Sequence, residues 1–81
     1  MKKEKFIGFQ EFRCSILNGA EKCPSEWRKG QSVFNIIDDW YDIAREVQYE
    51  KGVDCFYDDS LIDEFIIESY NILKERYEDA N

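Results

Sequence analysis

Between residues 60 and 77, Ile62, Phe65, Ile66, Tyr70, Leu73 and Tyr77 stand three and four positions apart, while Glu64, Glu68, Glu75 and Glu78 fall largely elsewhere. That spacing fills one face of a helix with 3.6 residues per turn and does not fit a strand, whose side chains alternate. A helix with so broad an apolar stripe cannot hide it alone, and Leu61 and Ile67 widen it enough for contact on two sides. The remainder of the chain therefore has to supply the covering elements. Ser60 is read as the N-cap and Asp63 as a shorter capping-box acid, with Asp58 and Asp59 beside the positive helix end.

Upstream, Phe6, Phe9, Phe12, Ile16 and Leu17 predict a helix over 5–17, closed by Asn18-Gly19, which tolerate the left-handed conformation of a helix end. The sole proline, Pro24, opens the next segment, in which Trp27, Gln31, Phe34, Ile37 and Tyr41 predict a helix over about 25–40. Trp27 on that stripe reads as a core anchor, with Arg28 and Lys29 as its solvated flank. Gly30 inside a helix costs about 1 kcal/mol relative to Ala, so its presence implies close approach by another backbone. Residues 42–57 fit two patterns: a helix over 42–49 stopped by Gly52, or a hairpin over 43–57 around Glu50-Lys51-Gly52. The expectation is an all-α bundle of three to four helices (5–17, 25–40, 42–49 and 60–77), with α+β carrying that hairpin as the alternative.

The 81 residues suit one domain, with 1–23 as a front helix and loop and 24–81 as the main body. Thirteen aromatic side chains, six Phe, five Tyr and two Trp, suffice for a core without covalent staples. Three cysteines leave an odd thiol after any pairing, and Met1-Lys2-Lys3-Glu4-Lys5 leads into no apolar leader, so a reducing cytoplasm is expected. Apolar runs of two or three residues predict no membrane span.

Charge is distributed unevenly. Residues 1–30 carry seven Lys or Arg against four Glu, a balance of +3, while residues 31–81 carry four against fourteen Asp or Glu, a balance of -10. A net charge of -7 argues against reading nucleic acid, whose phosphates call for a basic surface. It suits a basic partner, or solubility alone.

The usual catalytic and cofactor sets find no support. Without histidine, and with no C-x-x-C spacing among Cys14, Cys23 and Cys55, neither a structural zinc site nor a Cys-His nucleophile is expected. The cysteines read as small buried hydrophobes. Gly8, Gly19, Gly30 and Gly52 stand singly, so no phosphate loop exists, and Asp54 to Asp59 lacks the calcium-loop pattern. No cofactor and no metal are expected. Asp54 paired with Asp58 or Asp59 is the one arrangement suited to acid-base work, and helix capping explains the same residues more simply.

Two dense segments remain, Trp27-Arg28-Lys29-Gly30-Gln31-Ser32-Val33-Phe34-Asn35 and Asp54-Cys55-Phe56-Tyr57-Asp58-Asp59. Over residues 25–70 the chain resembles a loose group of small uncharacterised proteins of bacteriophages and bacterial genomes, in which Trp-Arg-x-Gly-Gln-x-x-Phe-Asn precedes Asp-x-Phe and a final helix. Cys55 stands where that group most often has Pro. The resemblance implies a phage or mobile-element origin and brings no activity with it.

The functional expectation is a non-enzymatic accessory protein of the bacterial cytoplasm that binds a protein partner, of basic character, through an acidic and aromatic surface. Asp54, Tyr57, Asp58, Asp59 and Trp40 are its candidate partner-binding residues, within a wider acidic set that includes Asp38, Asp39, Asp42, Glu46 and Glu50. The alternatives are a homodimer that buries spare aromatics such as Phe56 or Tyr70 between copies, and a carboxylate-based enzyme.

Overall fold

The structure, a computed structural model, describes residues 6–80, with side chains through 78. It is an all-α bundle of four helices, and among the described residues there is no strand. The hairpin alternative is thus not adopted. The helices are α1 (Phe9–Glu21), α2 (Lys29–Tyr41), the short α3 (Ala44–Glu46), which widens into a π-turn at Val47–Lys51, and α4 (Ile62–Ala80), entered through a 3-10 turn at Asp59–Leu61.

Several of the expected boundaries move, for identifiable reasons. Residues 6–8 are extended, so α1 begins at Phe9; residue 5 of the expected helix lies outside the described residues. Asn18-Gly19 does not end α1, which runs on to Glu21. Gly19 serves packing instead: a Cβ there would stand 2.8 Å from the indole of Trp40. Pro24 to Trp27 form a turn, Trp27 N–H donating to Pro24 O at 3.1 Å, and α2 starts only at Lys29. Trp27 is consequently outside the helix and half-buried, not a core anchor.

Asp42 closes α2 in the left-handed conformation (φ 56°), its N–H donating to Asp38 O at 2.9 Å, and Gly52 closes the π-turn at φ 70°. Aspartate and glycine are among the few residues that accept this geometry readily. The expected cap of the last helix shifts by two positions. Asp58, not Ser60, accepts: its Oδ1 takes Ser60 N–H at 3.0 Å and the Ser60 hydroxyl at 2.6 Å.

Partners along the chain show how the bundle closes. Phe6 packs on Tyr77, Phe9 meets Tyr70 edge to face, and Arg13 pairs with Asp63 at 3.5 Å, so α1 and α4 run in opposite directions. Tyr70 OH donates to Ile7 O at 2.8 Å, pinning the extended segment that enters α1 to α4. One continuous core joins Phe12 and Ile16 of α1, Val33, Phe34 and Ile37 of α2, Val47 and Cys55 of the connecting region, and Phe65 and Ile66 of α4. Their burial, at roughly 25 cal/mol per Å² of apolar surface, is the main force holding the bundle. No helix among the described residues is long and apolar enough to cross a membrane.

Candidate functional site

The two dense segments of the sequence lie against each other, and what joins them is structural. At the start of α2, Arg28 Nη1 donates to Tyr57 O at 3.0 Å, and Gly30 N–H donates to Asp59 Oδ1 at 2.9 Å. In return the Cys55 thiol donates to Gly30 O at 3.3 Å, and Phe56 packs edge-on against Phe34 with ring centres 5.4 Å apart. Gly30 is required here: an added Cβ would lie 1.9 Å from Cys55 O. The close backbone approach expected of Gly30 is therefore real, and its partner is the second segment.

Within and beside this clasp, the three carboxylates named as candidate partner-binding residues, Asp54, Asp58 and Asp59, are engaged within the chain. Asp54 spends both oxygens inside the chain, Oδ2 on Gln48 Nε2 at 2.7 Å and Oδ1 on Phe56 N–H at 2.9 Å. Asp58 caps the turn into α4, and Asp59 caps the first turn of α2, where the helix leaves backbone N–H groups without internal partners. The Ser60 hydroxyl, and then its backbone N–H, hold the Asp58 carboxyl below its ordinary value of 3.8. A general acid needs the opposite shift. Tyr57 is 72 % exposed, its ring leaning on Phe56 at 4.7 Å. Of the aromatics assigned to a dimer interface, Tyr70 is buried in the chain's own core and Phe56 is engaged with Phe34.

Trp40 stands apart from the other four. It follows Gly30 by ten residues on α2, about 15 Å along the axis at 1.5 Å per residue. It is 47 % exposed, and its ring lies over Gly19, forming one wall of a hollow of about 430 Å³ shared with Ser15, Lys22, Cys23 and Ile36. A second hollow, of about 390 Å³, adjoins it across Cys23 and Ile36 and is walled by Trp27, Asn35, Asp38 and Asp39. Both tryptophans of the chain thus line one face, with two carboxylates at its border. Trp27 and Ile36 were missed as site residues. The signal was present in Gly19, which permits the close fit of Trp40, and in Pro24, which takes Trp27 off the helix.

The charges on this face are placed at an energetic disadvantage. Asp38 and Asp39 occupy the last turn of α2, which carries no basic residue, and Asp42 caps it. The C-terminal end of a helix is its negative pole, so each acid there costs about 0.3–1 kcal/mol. Ion pairs among the described residues join Arg13 to Asp63 and Arg76 to Glu46 and leave these acids untouched.

The thiols differ from one another. Cys14 is exposed and Cys23 half-buried between the two hollows, so the reading of a small buried hydrophobe holds for Cys55 only. Burial, and secondarily the Asp54 carboxylate, push the Cys55 thiol up to about 12. It is an unreactive hydrogen-bond donor rather than a nucleophile. Among the described residues no group of three His, Cys, Asp or Glu could hold a metal ion. The chain matches no protein-family model, no curated protein and no solved structure.

Proposed function

We propose that this chain is a small, non-enzymatic accessory protein of phage type that works in the bacterial cytoplasm by binding a basic protein partner. The docking face is the one that carries Trp27, Ile36 and Trp40, bordered by Asp38 and Asp39. Asp58 and Asp59 contribute to the negative field around it, while their side chains serve the fold first.

The observation that carries this reading is the cost of the face to the free molecule. A half-exposed Trp40 leaves apolar area in water, and the adjoining acids oppose the dipole of the helix that bears them. Tryptophan is among the residues most often found as binding anchors. Self-association through Phe56 and Tyr70 draws less support, because both rings are occupied within the chain.

Affinity capture from a bacterial host lysate tests the reading. The wild-type chain should retain a basic protein that is released by salt, and the doubly reversed form Asp38→Lys/Asp39→Lys should not. Equal recovery of the same proteins by both forms would refute it.

A further inference from the structure

The two hollows differ in chemistry, and that difference specifies what the partner must present. The Trp40 hollow is mainly apolar, lined by the indole, Ile36, Cys23 and Gly19 together with Ser15, Asn18 and Lys22, and holds no carboxylate. The Trp27 hollow combines an indole wall with the carboxylates of Asp38 and Asp39 and the amide of Asn35. Cys23 and Ile36 belong to both, so the hollows adjoin and neighbouring side chains of one segment can fill the two together.

We infer that the partner docks through a single segment that places an arginine or lysine in the Trp27 hollow and an adjacent aliphatic or aromatic side chain in the Trp40 hollow. This rests on the reading of that face as the docking surface. An arginine suits the first hollow on each count: its methylene stem covers apolar surface, its guanidinium plane lies on an indole, and its forked donors match carboxylates. The second hollow disfavours such a side chain, since Lys22 repels a cation and the lining offers it no carboxylate. Charge complementarity on one side and apolar fit on the other therefore assign each of the two side chains to its own hollow.

Selection of short random peptides displayed against the immobilised full chain tests this. Enriched sequences should carry Arg or Lys next to Leu, Ile, Met or Phe, and a synthetic peptide of that consensus should bind the wild-type chain. Its affinity should fall roughly tenfold with Asp38→Asn/Asp39→Asn and by a similar factor with Trp27→Leu. Replacing its basic residue by Gln should reduce binding to the wild-type chain while leaving binding to the Asn double variant unchanged. Peptides that depend on Trp40 yet carry no basic residue would overturn this inference and leave the docking face standing. If none of the enriched peptides depends on Trp40 or Trp27, while circular dichroism shows the variants folded, the docking face itself falls.

Discussion

Gly30 and Cys55 hold each other at a separation that only glycine permits at position 30: a Cβ would stand 1.9 Å from the Cys55 carbonyl oxygen, while the Cys55 thiol donates to Gly30 O at 3.3 Å. The obstacle is backbone, so it cannot turn aside as a side chain can. Gly30→Ala gains about 1 kcal/mol of helix propensity and loses more through forced separation of the two segments, for which overpacking gives about 1–3 kcal/mol or above. Urea unfolding should show Gly30→Ala net destabilised and Gly30→Leu worse, with Gly8→Ala, where an added Cβ meets nothing, within about 0.5 kcal/mol of wild type.

Gly19 presents the contrasting case, because its obstacle is the half-exposed ring of Trp40, at 2.8 Å from an added Cβ. That ring can swing outward into solvent. Gly19→Ala should therefore leave stability within about 1 kcal/mol of wild type, the helix gain offsetting lost contact. Trp40 would become more exposed and the hollow beside it would change shape. Tryptophan emission should shift to longer wavelength, and partner or peptide binding should weaken, in a protein whose melting midpoint hardly moves.

The helices were legible because their signals are local. The stripe of α4 and the core roles of Phe12, Ile16, Phe34 and Ile37 follow from spacing, and Gly52 ends its turn as a left-handed glycine should. The candidate site was not, because its meaning depends on pairs far apart in sequence. Arg28 with Tyr57, Gly30 with Asp59, and Phe34 with Phe56 turn two dense segments into a clasp that no periodicity announces. The cap of α4 was misplaced for a nearer reason. Asp58 and Ser60 can each accept a backbone N–H, and the 3-10 turn at Asp59–Leu61 selects the earlier residue.

The thiols should separate by reactivity. With a soluble alkylating reagent at mildly alkaline pH, Cys14 should react first, Cys23 more slowly, and Cys55 only when the chain unfolds. The Cys55 thiol also predicts a pH dependence with a definite sign. Its folded value, about 12, lies above the ordinary 9.0, so its contribution is complete below pH 9. Between pH 9 and 12 the unfolded thiol ionises while the folded one does not, and stability falls. Tyr41, raised by burial from 10.0, acts in the same direction. Cys55→Ala should flatten the decline in melting temperature over that range.

At the acidic end the Asp58 cap contributes to the response. Asp58 is held below 3.8 by its bonds to Ser60, so its contribution is present above that value and is lost as pH falls through the folded one. Asp58→Asn should therefore remove part of the acid sensitivity of unfolding. Asp59→Ala should cost about 1–2 kcal/mol at neutral pH, because it leaves Gly30 N–H without its acceptor. Asp59→Asn, which still offers an oxygen, should recover most of that loss in the same denaturation experiment.

Asp38 and Asp39 bring stability and binding into direct opposition. Both sit in the last turn of α2, where the helix end is negative and no basic residue offsets them. Asp38→Lys/Asp39→Lys replaces two unfavourable charges with two favourable ones and should raise stability by about 0.5–2 kcal/mol at low salt, an effect that added salt should diminish. The same change removes the carboxylates from the Trp27 hollow and should abolish capture of a basic partner. A protein that melts higher and binds nothing would identify these acids as retained for recognition, at a cost in stability of the kind seen at functional sites. If the double variant melted lower instead, the acids would be part of the fold, and the energetic argument for a docking face on α2 would fail with them.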